Sequence, residues 1–247
     1  MLLIQAPEGL ARVTGGDDLA AIIAPAVYEL EWPDGTTGIR PGDIFVVASK
    51  IVAKAERRLA AARDDAELDE AIASQTVRVV AERTTAAGVL QVVETPQGLV
   101  MAAGGVGRSN APRGTAVLLP EDPDASARHL RRGLAARLGL RPGVIISDTV
   151  SRPWREGVVD IAIGAAGVAV LDDQRGRQDL HGRELVSTVI ARADEIAAAA
   201  ELVKGKARGR PVAVVRGLAE AVTHDDGPGA AALLRPVEGD LFRQPLD

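Results

Sequence analysis

The sequence predicts an α+β fold. Strand-like and helix-like segments are mixed along the chain, without the regular strand–helix–strand alternation that is typical of parallel α/β proteins. The 247 residues suffice for one large unit with a sizeable buried core, and 47% of them are apolar. Aromatic residues make up only 2%, so the core must consist of Ala, Val, Leu and Ile. We treat residues 1–247 as a single unit, because the composition marks no boundary between subdomains.

The first half of the chain predicts two helices, a buried strand and a hairpin. Asp17 and Asp18 precede an apolar pattern of helical spacing, so they are suited to cap a helix. A turn that contains Pro41 and Gly42 comes before a strongly apolar run, which is typical of a buried strand. The other predictions are a strand at Ile44–Val47 with Ser49 opening the next segment, one helix over residues 64–84, and a hairpin over residues 88–105 that turns at residues 95–98.

The second half continues the mixed pattern. The run "VIIS" predicts a strand that ends abruptly at Ser147, where polar residues begin. The helix after "LLPEDP" is expected to be capped near Asp124 or Ser126. The other predictions are strands at residues 115–119, after Gly164 and within residues 210–218, the longest helix within residues 187–207, and a short helix opened by glycine within residues 227–236.

The charge and residue usage exclude several classes of protein. The net charge of −5 and the pI near 5.4 give no basic field for nucleic acid. The chain has no cysteine, which excludes disulfides, thiolate metal sites and a cysteine nucleophile. No apolar run approaches the roughly 20 residues of a membrane span, and the N-terminus lacks the pattern of a signal peptide. We therefore expect a soluble cytoplasmic protein.

The segment "VIISDTVSRPWREGVVDIAIG" carries the clearest signs of chemistry. Asp148 and Thr149 offer hard oxygen ligands that suit Mg²⁺ or Mn²⁺, although an acid at this place is also a common turn former. Arg152 and Arg155 could clamp a phosphate or carboxylate through their planar guanidinium groups. Alternatively, these arginines form surface pairs with Glu156 that contribute little.

Two further segments have the composition of a phosphate site. Ser49, Lys50 and Lys54 follow a predicted strand, where a hydroxyl and ammonium groups can converge on phosphate. An amphipathic helix with solvated lysines explains them equally well, and no Walker A spacing occurs in the chain. The glycine-rich run "AAGGVGRSN" lacks the third glycine of a dinucleotide fingerprint, but Ser109 and Asn110 at its end could hydrogen-bond a nucleotide. The charged run "LDDQRGRQDLHGREL" fits a solvated loop.

Taken together, these segments resemble one family, the CofE-type γ-glutamyl ligases that add glutamate to the precursor of the deazaflavin coenzyme F420. The matching stretches occur in family order and span almost the whole chain, from "GDIFVVASKIVAKAE" through "LLPEDPDASARHLR" and "SDTVSRPWREG" to "LLRPVEGDLFR". The chain ends soon after the last of them, as in the stand-alone form of the ligase.

The resemblance implies a fold of two α+β lobes and an intertwined homodimer. It also implies the activity: GTP-dependent addition of L-glutamate to coenzyme F420-0 through an acyl phosphate. Mg²⁺ or Mn²⁺ is the implied cofactor, and K⁺ is an expected activator. The implied partners are thus GTP, L-glutamate, F420-0 and a second copy of the chain, with no nucleic acid and no membrane.

The resemblance also assigns residues. It implies that Asp148 and Thr149 are metal ligands and that Arg152 and Arg155 are catalytic residues of the active-site wall. The implied nucleotide-binding residues are Leu10, Ala11, Arg12, Val13, Ser49, Lys50, Lys54, Asn110, Lys204, Gly205, Lys206, Ala207, Arg208, Gly209, Arg210 and Pro211.

Two positions depart from the family pattern. Gly107 stands where relatives carry a metal-binding Asp, and Lys206 stands where some relatives use a metal-binding Gln. A glycine cannot ligate a metal through a side chain, and a lysine cation cannot ligate one at all, although it can offset phosphate charge. The missing acid at position 107 keeps a second hypothesis open: a catalytically impaired paralogue that binds nucleotide or an F420 precursor in a regulatory or scaffold role.

Overall fold

The computed structural model describes residues 1–85, 88–240 and 242. Leu241 and Arg243 of the matching stretch "LLRPVEGDLFR" lie outside these residues. The strands are β1 Leu3–Gln5, β2 Ile44–Ala48, β3 Leu59–Ala61, β4 Arg78–Thr85, β5 Gly88–Glu94, β6 Val100–Ala102, β7 Thr115–Val117, β8 Gly143–Arg152, β9 Arg155–Ala166, β10 Asp172–Asp173, β11 Val189–Ile190 and β12 Val212–Arg216. The α-helices are α1 Leu19–Tyr28, α2 Ser49–Ala55, α3 Asp65–Ser74, α4 Pro123–Leu138 and α5 Arg192–Lys204.

A five-stranded sheet forms the centre of the molecule, in the order β1-β12-β2-β8-β9. Only β2 and β8 pair in parallel, and the other neighbours are antiparallel. Alternate residues of each strand point to opposite faces, so one face packs against α1 and α4 and the other against α5. Both cores are made almost wholly of aliphatic residues, as the composition predicts. The mixture of helices with largely antiparallel sheets confirms the α+β prediction.

Local sequence explains where the helices begin. The side chain of Asp18 accepts the N–H of Ala21 and caps α1, as predicted. The cap of α4 is Asp122, not Asp124 or Ser126, so that prediction was wrong by one half-turn or more. Proline favours the first position of a helix, and with Pro123 there the helix begins just after Asp122.

The predicted helix over residues 64–84 is wrong in its second half. Helix α3 ends at Ser74, and the chain then enters strand β4. The residues after Gln75 include Thr76, Val77 and Val79, whose branched Cβ atoms favour the extended conformation. Strands β4, β5 and β6 form a separate sheet, and the predicted hairpin is present as β5 and β6.

Three smaller predictions also need correction. The longest helix described is α4, with 16 residues, while α5 begins only at Arg192 and has 13. The apolar run after Gly164 is not a new strand, because β9 already contains its first residues and ends at Ala166. The short helix opened by glycine is a 3-10 turn, Ala230–Leu233. The predicted buried strands β2 and β12 are confirmed.

Strand β8 determines the position of the site. The sequence predicts that this strand ends at Ser147, but β8 continues to Arg152. What ends there is its parallel neighbour, because the pairing of β2 with β8 stops at Ala48 opposite Ser147. The polar residues therefore lie in mid-strand, where β8 has lost its neighbour on one side. A space opens beyond the carboxyl end of β2, which is where ligands bind in parallel sheets.

The ribbon formed by β4 and β5 is unusual because most of its apolar side chains reach solvent. Val79 is 45% exposed and Leu90 is 53% exposed, and every residue of β4 is exposed. The two-lobed arrangement and the intertwined homodimer stay predictions. No helix within the described ranges is long and apolar enough to cross a membrane.

Candidate active site

A cavity of about 490 Å³ lies beyond the carboxyl end of β2. Its volume falls within the range of small-molecule sites. The walls come from the loop before α1, the start of α2, the middle of β8 and the segment that joins α5 to β12. Cations and carboxylates line it together, so it is suited to an anionic ligand that carries polar groups.

The cavity collects residues that are far apart in the sequence. Asp148 and Thr149 both line it. The predicted nucleotide-binding residues line it as well, with the exception of Arg208. The remaining charged and polar lining residues are Ser109, Ser147, Asp160 and Glu201.

Strand β2 passes directly into helix α2 at this cavity. Ala48 is the last residue of the strand and Ser49 is the first of the helix, so no loop separates them. The buried hydroxyl of Ser49 donates a 2.6 Å hydrogen bond to Oδ1 of Asp148. The ammonium of Lys50 lies 3.8 Å from the same oxygen. The parallel pairing of β2 with β8 thereby brings the two predicted motifs into contact.

Asp148 is a buried carboxylate, with 6% of its surface exposed. Burial raises the pKa of its carboxyl group, because the charged form is poorly solvated there. The charge of Lys50, the hydrogen bond from Ser49 and the charge of Lys206 oppose that rise. A cation placed against the carboxylate therefore favours its ionised form.

Asp160 forms the second acidic centre of the cavity. Its Oδ2 accepts 2.9 Å hydrogen bonds from Ser147 Oγ and from Lys204 Nζ, and its Oδ1 accepts a 2.6 Å bond from Thr149 Oγ1. Burial alone raises the pKa of Asp160, but the charge of Lys204 and the three donors outweigh it. The pKa therefore lies below its ordinary value, and Asp160 is an ionised carboxylate with hydrogen bonds to both of its oxygens.

Two lysines near the end of α5 meet these acids. Lys204 is 2% exposed, and its ammonium contacts Ser147, Asp160 and Glu201, the last at 3.3 Å. Lys206 is exposed and donates a hydrogen bond to Oγ1 of Thr149. Ser147, Asp148 and Thr149 of β8 thus each lie next to a lysine ammonium.

A second group of cations in the cavity comprises Arg12, Lys50 and Lys54. Lys54 is half-buried at the end of α2, and its pKa is lowered by burial and by the charges of Arg12 and Lys50. Arg12, Lys50 and Lys54 repel one another, so an anion bound between them is favoured. The cavity therefore has a strongly anion-attracting wall.

Arg152 and Arg155 are not brought to this cavity within the chain. They flank the tip of the β8–β9 hairpin, where Nη2 of Arg152 donates a 2.7 Å hydrogen bond to the carbonyl of Glu156. Trp154 between them is 89% exposed and has a positive φ of 55°. Their assignment to the catalytic wall stays a prediction.

Gly107 is an open position. Its backbone is not left-handed, and a Cβ built there meets no atom within 4 Å. It forms a bridge with Val117, and it is not among the residues that line the cavity. A side chain would therefore fit at position 107 without strain.

The oxygen donors fit one hard divalent ion better than two. Asp148 supplies a carboxylate and Thr149 a hydroxyl, which are groups that bind Mg²⁺ or Mn²⁺. Across residues 1–85, 88–240 and 242, however, no cluster of three or more His, Asp or Glu side chains could hold a metal. Water or a bound nucleotide would therefore supply most of the remaining ligands of an ion at Asp148.

The sequence interpretation gave no site role to Ser147, Asp160 or Glu201. Asp160 stands before an apolar run, and nothing in the neighbouring sequence marks it as a site residue. The signal that identifies it is the hairpin, because Asp160 lies directly opposite Thr149 in the β8–β9 register. Glu201 lies one helical turn before Lys204 in α5, a spacing that pairs the two on one face.

The fold and the cavity define an α+β protein with an anion-attracting site beside buried carboxylates. The family model of the F420-0:γ-glutamyl ligases matches residues 9–217, and the chain belongs to this family. It is 43% identical to a protein of Methanopyrus kandleri, 40% to one of Methanothermobacter thermautotrophicus and 38% to one of Halorubrum lacusprofundi. These alignments cover 94%, 96% and 98% of this chain and 94%, 96% and 96% of the relatives. Each relative is named coenzyme F420:L-glutamate ligase.

Proposed function

We propose that this protein is a GTP-dependent ligase that adds L-glutamate to coenzyme F420-0 and forms γ-glutamyl-F420. Relatives that match nearly the whole chain are named for ligation of L-glutamate to coenzyme F420. The observation that carries the GTP dependence is the cavity, in which Lys50, Lys54 and Lys206 lie beside the buried Asp148. This is the arrangement that a nucleoside triphosphate requires.

The proposed reaction has two steps. A carboxylate oxygen of F420-0 attacks the γ-phosphorus of GTP, and the bond to the β-phosphate oxygen breaks, which gives an acyl phosphate and GDP. The amine of L-glutamate then attacks the acyl carbon, the C–O bond to phosphate breaks, and the nitrogen loses a proton. The products are the amide, inorganic phosphate and GDP. Neither step needs a nucleophile from the protein.

The chain supplies charge and position for these steps. Lys50 and Lys54 neutralise the phosphate oxygens, and Ser49 orients Asp148 through its hydrogen bond. Asp148 would hold the Mg²⁺ or Mn²⁺ ion, while the hydroxyl of Thr149 is bonded to Asp160 and Lys206. Such an ion, when bound, withdraws charge from the phosphoryl oxygens, and K⁺ is proposed as an activator.

The proposal includes a cytoplasmic homodimer. The apolar residues of the β4–β5 ribbon are exposed in the single chain, and a second copy is proposed to cover them. Arg152 and Arg155 lie at the exposed tip of another hairpin, and we propose that dimerisation brings them to a substrate carboxylate. Sedimentation of the purified protein tests the dimer.

One incubation tests the activity. The protein is mixed with GTP, L-glutamate, F420-0, Mn²⁺ and K⁺, and mass spectrometry follows F420-0 with one added glutamate together with GDP. Parallel reactions omit GTP, or replace it with ATP, or omit glutamate. A product that forms without nucleoside triphosphate would contradict the mechanism. Tight GTP binding with no glutamyl product would favour the alternative role as a nucleotide-binding paralogue.

A further inference from the structure

We propose that the ammonium of Lys206 supplies the second positive charge of the phosphate site, so that the nucleotide complex holds a single divalent ion, at Asp148. This inference deepens the proposed function and rests on its GTP site. Lys206 would thus be a resident cation of the cavity, where it neutralises phosphate and occupies the hydroxyl that a second ion would need.

The orientation of strand β8 separates the two predicted metal ligands. Adjacent residues of a strand point to opposite faces of the sheet. Asp148 accordingly faces Ser49 of α2, while Thr149 and Ser147 face Asp160 and the end of α5. A single ion at Asp148 does not need Thr149, and any ion on the Thr149 side would need its own ligands.

The ligands on the Thr149 side are already occupied. Lys206 donates to Oγ1 of Thr149, and that hydroxyl donates its own proton to Asp160. Both oxygens of Asp160 accept hydrogen bonds, and the ammonium of Lys204 neutralises its charge at 2.9 Å. A divalent ion there would have to displace one or both ammonium groups, and it would meet their charge repulsion.

Asp148 keeps one free ligand atom. Its Oδ1 accepts the hydroxyl of Ser49, but within the described ranges Oδ2 accepts no hydrogen bond. In many Mg²⁺ sites the protein supplies only one or two carboxylates, and waters and substrate phosphates supply the other ligands. The chain therefore offers a place for one nucleotide-borne ion and a fixed ammonium for the remaining phosphate charge.

The test counts metal ions and measures nucleotide affinity. Mn²⁺ is titrated into the full-length protein in the presence of a non-hydrolysable GTP analogue, and electron paramagnetic resonance reports both the bound ions and any coupling between them. Calorimetry gives the affinity of the analogue at saturating Mn²⁺. The variants are Lys206→Met, which removes the charge without offering an oxygen ligand, and Lys206→Arg, which keeps the charge. Arg132→Met, on the exposed face of α4, is the matched control for the loss of one charge.

We expect one uncoupled Mn²⁺ per chain in the parent. Lys206→Met should bind the analogue at least about tenfold more weakly, since a charge-assisted contact with phosphate is lost, while Lys206→Arg and Arg132→Met should stay close to the parent. Two ions per chain or a coupled spectrum, with the analogue bound, would overturn the inference alone. Unchanged affinity in Lys206→Met would also overturn it. A parent that binds no analogue would overturn the proposed GTP site as well.

Discussion

Replacing Lys204 by methionine should destabilise the protein strongly. Lys204 and Asp160 are 2% and 3% exposed, so their 2.9 Å ion pair belongs to the buried class rather than to surface pairs worth at most about 1 kcal/mol. Removing one partner of a buried pair typically costs about 3–5 kcal/mol, because a buried charge loses its counter-ion. The hydroxyls of Ser147 and Thr149 still bond Asp160, so we expect the lower end, about 3 kcal/mol.

The pH dependence should change in a defined direction. The pKa of Asp160 is depressed in the folded protein, so its ionised form stabilises the fold above its unfolded pKa of about 3.8, and this stability is lost as the pH falls through the folded pKa. Without Lys204, the folded pKa rises, and the stabilisation at neutral pH shrinks or reverses.

Urea unfolding at several pH values measures both effects. The double variant Lys204→Met with Asp160→Asn should recover much of the loss, since no buried charge is left unpaired. Arg132→Met on the exposed face of α4 controls for a surface change and should stay within about 0.5 kcal/mol. A loss below about 1 kcal/mol in the single variant, or a double variant as unstable as the single, would refute the reasoning.

Three further outcomes are expected. Asp148→Ala should melt like the parent yet lose turnover by several decades, as mass spectrometry of the glutamyl product will show, and parental turnover would contradict its role. Lys54→Ala should weaken GTP binding in calorimetry and change the free energy of unfolding by at most about 0.5 kcal/mol, whereas unchanged affinity would mark a surface lysine. Gly107→Asp should fold normally, because a Cβ there meets no atom within 4 Å. Position 107 lies outside the cavity lining but close in the chain to Ser109 and Asn110, which line it, so we predict that the longer Asp side chain reaches the ion and tightens Mn²⁺ binding in titrations without nucleotide. If the parent already binds two Mn²⁺ ions tightly without nucleotide, Gly107 is not a lost ligand.

The sequence predicted the elements whose patterns are local. The cap at Asp18 and the apolar runs of β2 and β12 depend on a few neighbouring residues, and the structure confirms them. The helix over residues 64–84 failed because charged residues of helical spacing run directly into a β-branched stretch, with no proline or glycine between them. When a strand follows a helix with no proline or glycine between them, the spacing of apolar residues changes over only a few positions. That is too short a stretch for the helical and strand periods to be told apart.

The limits of the site prediction have a different cause. Asp148 was singled out as the residue at a strand end, but β8 continues, and only the neighbouring β2 stops. The end of a pairing depends on two segments almost a hundred residues apart, so no local pattern contains it. Asp160 and Lys204 were given no joint role for the same reason, since the hairpin register and the packing of α5 bring them together.

The direct junction of β2 with α2 has a consequence for how a ligand enters. Ser49 follows β2 directly and is bonded to Asp148 of β8, so we expect this part of the cavity wall to open only together with the central sheet. Other parts of the wall are irregular backbone, with positive φ angles at Asn110, Gly205 and Gly209. Amide hydrogen exchange should therefore be slow along β2 and β8 and fast along residues 205–210 in the free protein. Bound nucleotide should slow amide exchange chiefly along residues 205–210. The amides of β2 and β8 already exchange slowly in the free protein, so a ligand can slow them little further.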